Sequence, residues 1–179
     1  MTRISEAFVS TELFEKGIGY LAVARFKSNG EVEVGGFLLD VYCLGVKDAL
    51  YEHLSVADYE QRFLRRIFEV TGKTPIDLPA ARKLAEAAVA YAERLGIAPH
   101  ADYRKARRVF GGINAAESTA SFTFGKDGKP FYIQGPHDTR LRRDLILKTL
   151  QTRCGPGNYE YMVVPDESEI PLAVRDQLD

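Results

Sequence analysis

Residues 19–42 read GYLAVARFKSNGEVEVGGFLLDVY. Ser28-Asn29-Gly30 stands between two runs rich in β-branched, aromatic and aliphatic side chains. Asn-Gly tolerates the positive φ of a tight hairpin turn, so Gly19 to Phe26 is predicted to pair with Glu31 to Tyr42. The end of the second arm, continuing as CLG to Gly45, is apolar on both faces, which predicts a central, buried strand end. Gly35-Gly36 inside that arm predicts a bulge or a close backbone approach.

A second hairpin is predicted in SFTFGKDGKPFYIQGPHDT, residues 121–139, with Lys126-Asp127-Gly128 at its turn. Phe122, Phe124, Phe131 and Ile133 are placed to face the core. A Gly135-Pro136 turn then delivers His137 and Asp138 to a helix capped by Asp138 or Thr139 and running from Arg140 to Arg153. Leu141, Leu145 and Leu150 form its expected apolar stripe. Tyr159 to Val164 reads as a last strand.

Between the hairpins, Ser55 is the expected N-cap of a helix to Val70, apolar at Val56, Tyr59, Phe63, Ile67 and Val70, with Gly72 as its stop. A second helix runs from Asp77 to Leu95 with Pro79 in its first turn. Asp102 is the expected cap of a short basic helix, Tyr103 to Phe110. This order lacks regular βαβ alternation. It predicts an α+β fold, a mostly antiparallel sheet of two hairpins plus a C-terminal strand, packed with about four helices. Residues 1–164 read as one compact domain, and 165–179 as an acidic tail.

The chain has 179 residues, 45% hydrophobic and 27% charged, which is ordinary for one globular domain. Its net charge of -1 argues against wholesale wrapping of nucleic acid. Charge is nevertheless segregated: residues 98–154 carry 11 Lys/Arg against 5 Asp/Glu, and residues 155–179 carry one Arg against six acids. That pattern means either attraction between the two segments or a tail that shields a surface meant for an anionic partner. Cys43 and Cys154 cannot build a disulfide framework and read as reduced thiols of a cytoplasmic protein. No signal peptide is evident, and no run approaches a membrane span, so no membrane partner is expected.

Three polar clusters invite chemistry. Asp40 at the end of an apolar strand must be hydrogen-bonded, paired or metal-bound; it either caps the Leu44-Gly45 turn, pairs with Lys47, or serves a site. His100 has a pKa range suited to proton transfer, and Asp102 is placed to fix its tautomer, unless Asp102 merely caps the helix. Gly135, His137 and Asp138 form either an anion-binding turn or a capping turn. Asp40, His100 and Asp102 are therefore the candidate catalytic residues. Asp40 and Asp138 are candidate ligands for Mg²⁺, since carboxylates from separate elements suit that ion. No common zinc pattern, P-loop, other nucleotide motif or haem motif is present.

The nucleic-acid candidates are Arg104, Lys105, Arg107 and Arg108, with Arg140, Arg142, Arg143 and Lys148 as a second patch and Gly135 and His137 as further anion contacts. The periodicity also allows a plainer reading, a solvated helix face with Tyr103, Ala106 and Phe110 inward.

FLLDVYCLGVKDA from Phe37, YAERLGIAPHADY from Tyr91 and FGKDGKPFYIQGPHD from Phe124 together resemble a family of bacterial proteins with no assigned activity. The resemblance implies one compact intracellular domain and marks Asp40, Cys43, Lys47, His100, Asp102, Gly135, Pro136 and Asp138 as matching positions. The helix LPAARKLAEAAVA before Tyr91 departs from the family pattern. Three functions follow as expectations. The first is a non-enzymatic binding module with a basic surface for RNA or DNA. The second is a metal-dependent hydrolase or nuclease using Asp40, His100 and Asp138. The third is a module that binds another protein.

Overall fold

The computed structural model describes residues 5–165; the acidic tail expected beyond them lies outside the described residues. An antiparallel sheet of five strands has the order β4-β3-β2-β1-β5. The strands are β1 (Ser5–Ser10), β2 (Ile18–Phe26), β3 (Glu31–Asp40), β4 (Gly45–Ser55) and β5 (Lys73–Pro75), and a single helical turn, α1 (Leu13–Lys16), joins β1 to β2. The expected β2–β3 hairpin forms in full register from Ile18 opposite Asp40 to Phe26 opposite Val32. Together with its helices the sheet gives the α+β class read from the sequence. No helix among the described residues is long and apolar enough to cross a membrane.

Each face of the sheet buries a different set of side chains. On one, Leu21, Val23, Phe37 and Leu39 pack against α4 (Leu78–Arg94) and against α5 (Tyr103–Ala106) with its 3-10 extension to Phe110. Asp77 caps α4 by accepting from the Ala80 amide at 3.1 Å. The alanine face of α4 permits close approach: a Cβ on Gly45, whose φ is +69°, would meet the Ala88 carbonyl oxygen at 2.6 Å. On the other face, Ala22, Ala24, Val32 and Val34 pack against Tyr59, Phe63, Leu64, Ile67 and Phe68. Those side chains belong to one helical run, α2 (Val56–Asp58), a π turn at Tyr59–Phe63 and α3 (Leu64–Phe68). Ser55 caps it through the Asp58 amide at 3.0 Å. Val70 falls beyond the helix end and is fully exposed, so the expected stripe stops at Ile67 and Phe68.

The turn joining β3 to β4, residues 41–44, is buried. Backbone polar groups in such a place need partners, and the rest of the chain supplies them. The Val41 amide donates to the Gly17 carbonyl and its own carbonyl accepts from Gly125, while the Tyr42 carbonyl accepts from Phe131 N and the Tyr91 hydroxyl.

That demand corrects the second predicted hairpin. Lys126 and Lys129 do exchange backbone bonds across a tight turn with φ of +51° at Asp127 and +80° at Gly128. Beyond it the arms pair with the buried turn instead of each other. Phe131–Ile133 forms β6, which pairs in parallel with β7 (Glu160–Met162).

The stripe expected on α6 (Arg140–Cys154) is also corrected. Its buried residues are Arg143, Ile146 and Leu150, whereas Leu141 and Leu145 are 81% and 63% exposed. Thr139 caps α6 by accepting from the Arg142 amide. Ile146 and Leu150 close a third cluster with Cys43, Leu44, Leu95 and Tyr132.

Candidate ligand-binding cleft

At the end of the sheet where β2 begins and β3 finishes, a cleft of about 520 Å³ opens between the strands and the 131–137 segment. Ile18, Tyr20, Leu38, Phe131 and Ile133 give it apolar walls; Asp40, Lys47, Gln134 and His137 supply polar groups. Both its size and its balance of apolar walls with a few polar groups are those of small-molecule sites.

Lys47 reaches this cleft because β4 is bulged there. Leu38 pairs with Asp48 and Leu39 with Val46, which leaves Lys47 as the extra residue without a partner in the ladder. Its ammonium lies 3.4 Å from Asp138 Oδ2, and its side chain is only 16% exposed. Gly135 makes room for it: a Cβ at that position would collide with the Lys47 ammonium.

Asp138 is the most connected acid of the site. Its Oδ2 accepts from the Gly135 amide at 2.8 Å and the Tyr132 hydroxyl at 3.0 Å. Arg142 Nε lies 3.4 Å from Oδ1. Burial alone would raise its pKa, but the Gly135 amide, the Lys47 charge and the Tyr132 hydroxyl hold the carboxyl below its usual value. Gln134 ties the same turn down: its side-chain amide donates to the Asp138 carbonyl, and its Oε1 accepts from Val164 N.

Asp40 lines the cleft from the opposite element. Its Oδ1 accepts from the amides of Tyr42 at 3.0 Å and Cys43 at 2.9 Å. Burial pushes its pKa up to about 6, against the opposing pull of the Cys43, Leu44 and Tyr42 amides and the Lys47 charge. A carboxyl that titrates near neutrality beside a lysine is suited to taking up or giving up a proton in the cleft. Cys43, next to it, is fully buried, and burial followed by the Asp40 charge pushes its thiol far up.

The remaining candidates fall elsewhere. His100 is not among the cleft-lining residues. It is fixed at the outer edge of β4, where its amide donates to the Val46 carbonyl. Its Nε2 lies 3.7 Å from Asp48 Oδ1. Asp102 makes no side-chain cap to α5, contrary to expectation, because its helical backbone keeps the carboxylate away from the first-turn amides. Instead its own amide donates to His100 Nδ1 at 3.2 Å. The structure therefore pairs Asp138 with Lys47, places Asp40 within reach of the Lys47 charge, and leaves His100 with Asp48 and Asp102. Among the described residues no group of three or more His, Cys, Asp or Glu is placed to hold a metal ion.

The predicted anion contacts also divide. Gly135 and His137 line the cleft. Arg104, Lys105, Arg107 and Arg108 are exposed on α5 and its extension, while Tyr103, Ala106, Val109 and Phe110 turn inward. In the second patch, Arg143 is buried and donates to the Val164 carbonyl. Sequence reasoning missed Tyr132, Gln134, Ile18 and Ile133. A Tyr-Ile-Gln run ahead of Gly-Pro was the only local signal for Tyr132, Ile133 and Gln134, and Ile18 had none. The chain matches no family model, no curated protein and no solved structure.

Proposed function

We propose that the protein binds a small organic molecule with an apolar body in the cleft between β2–β3 and the 131–137 segment. The observation that carries this reading is the cleft itself. It is large enough for such a ligand, and Ile18 and Ile133 stand exposed on its walls although both are large and apolar. N-phenyl-1-naphthylamine, an uncharged apolar fluorophore, is expected to bind wild type saturably at one site per chain. The double variant Ile18→Glu, Ile133→Glu is expected to lose that binding while keeping its far-ultraviolet circular dichroism, since both positions are at the surface. Equal binding by the variant, or no saturable binding by wild type, would refute the reading.

A second reading rests on a separate observation. Arg104, Lys105, Arg107 and Arg108 are all exposed, and the ion pairs of the described residues include none of them. They suit the phosphates of RNA or DNA; the burial of Tyr103 and Phe110 removes base stacking on those rings. Four phosphate contacts on a single strand correspond to a slope of about -3 in log affinity against log salt. Charge reversal of all four to Glu is expected to abolish binding to labelled RNA or DNA; unchanged binding would exclude this surface.

A further inference from the structure

We propose that the cleft ligand is an amphipathic acid: an apolar body carrying one anionic head, carboxylate or phosphate, which the Lys47 ammonium receives. The inference rests on the cleft being a ligand site and names what it selects.

Two cations, Lys16 and Lys47, face the cleft against a single carboxylate of its lining, Asp40. Lys16 already has Glu12 at 3.3 Å and is well exposed, which leaves Lys47 as the enclosed cation. An ammonium has three donors, and the one carboxylate paired with Lys47 is 3.4 Å away.

Asp138 does not depend on that contact. It takes shorter bonds from the Gly135 amide and the Tyr132 hydroxyl, and Arg142 provides a second cation at its other oxygen. Lys47 can therefore turn a donor toward a ligand without stranding a buried charge. Asp40 turns its Oδ1 to the amides of the 41–44 turn and acts on the same ammonium through charge. Hydrogen bonds to a charged group are stronger than neutral ones, and more so in a site screened from water.

The apolar walls of the cleft select the body. Ile18, Tyr20, Leu38, Phe131 and Ile133 offer no charge, so a chain or ring seated there covers apolar surface that otherwise faces solvent. One enclosed ammonium among apolar walls, in a single cleft, defines the amphipathic acid.

The test compares heads on one body by titration calorimetry at pH 7: octanoate, octyl phosphate, octanol and octylamine, with inorganic phosphate as the head alone. The two anionic octyl compounds are expected to bind at least about tenfold more tightly than octanol, and octylamine more weakly still. In Lys47→Met the anionic advantage is expected to vanish while octanol affinity is retained, which also shows that the cleft is still folded. Preference between octanoate and octyl phosphate identifies which head the site takes. Tightest binding by octylamine would overturn the proposal and leave the cleft reading standing. Undiminished binding of octanoate and octyl phosphate by Lys47→Met would overturn it too. Failure of every octyl compound, octanol included, would remove the cleft reading with it, and binding of inorganic phosphate as tight as octyl phosphate would refute the role of the apolar body.

Discussion

Asp40→Asn tests whether the carboxylate beneath the cleft is held at a cost to the fold. The substitution removes the charge, keeps the shape, and leaves an Oδ1 able to accept from the Tyr42 and Cys43 amides. In the folded protein burial lifts the Asp40 pKa from 3.8 to about 6. The folded state thus binds a proton through the window between those values that the unfolded chain has already released. By linkage, stability falls as pH rises through the window. A separation of about two pH units, at about 1.4 kcal/mol each, amounts to roughly 3 kcal/mol lost by pH 7. Two other acids run the opposite way. Glu33, held low first by its hydrogen bond from Lys27, and Asp138 contribute stability above their unfolded pKa values and lose it as pH falls below them. Both are common to wild type and variant, so the difference between the two stability curves isolates Asp40. Urea unfolding from pH 3 to pH 8 is the assay. The stability of Asp40→Asn relative to wild type should rise by roughly 3 kcal/mol across that range. A flat difference would refute the argument, because a carboxylate already content with its amide donors would show no pH-dependent cost.

Gly135→Ala should force the Lys47 ammonium from its place, weakening binding of octanoate about as much as Lys47→Met while costing no more than about 1 kcal/mol in urea unfolding, because the atom displaced is the tip of a flexible side chain; an unchanged affinity would show that Lys47 does not need that position. Cys43 should resist a thiol-alkylating reagent in the native protein and react only on unfolding, while the half-buried Cys154 reacts first, as read by mass spectrometry of digested fragments. Leu141→Gln and Leu145→Gln should each change unfolding stability by no more than about 0.5 kcal/mol because both side chains face solvent, whereas Leu150→Ala on the same helix should cost about 2–5 kcal/mol.

What could be read from the sequence was local. The β2–β3 hairpin declares itself through Asn29-Gly30 and two flanking runs, all within 25 residues of chain. Ser55, Asp77 and Thr139 declare their helix starts because a cap needs only the next few amides. The strands that were missed depend on distant partners. β5 is Lys73-Thr74-Pro75, which has no strand signal of its own and exists because β1 offers an open edge. In β4 the bulged Lys47 breaks the alternation that would have marked a strand. The segment around Lys126–Lys129 shows the limit most clearly: its turn chemistry was legible, but the buried amides and carbonyls of residues 41–44 captured its arms. On α6, Leu141 and Leu145 form as good a stripe in sequence as Ile146 and Leu150, and only the packing around Tyr132 decides between them. The site followed the same rule. Asp40 and Asp138 stood out as acids among Gly, Pro and apolar residues, yet their meeting at Lys47 depends on the bulge, and His100 was carried to Asp48 by a backbone bond to β4.

The cost assigned to Asp40 and the surplus assigned to Lys47 have one structural origin. A turn buried where two clusters meet, Val41 and Tyr42 in one and Cys43 and Leu44 in the other, leaves the amides of Tyr42 and Cys43 facing inward, and the carboxylate of Asp40, two and three residues earlier, accepts from both. Placing it there buries a charge, which would favour a cation nearby. The bulge in β4 brings Lys47 to that region, but the ammonium settles on Asp138 and not on Asp40. The result is a bridge between the sheet and the turn leading into α6, with Asp40 influencing Lys47 by charge alone. A cation held by one long contact, beside a carboxyl that readily accepts a proton, can meet an incoming anion with little rearrangement: Lys47 reorients, Asp138 keeps Gly135, Tyr132 and Arg142, and Asp40 neutralises as the new negative charge arrives. Proton uptake on binding octanoate near pH 7, measured as a buffer-dependent binding enthalpy, is therefore expected of wild type and should be absent from Asp40→Asn. Equal uptake by both proteins would show that Asp40 is not the acceptor and would break the link between the buried turn and the cleft.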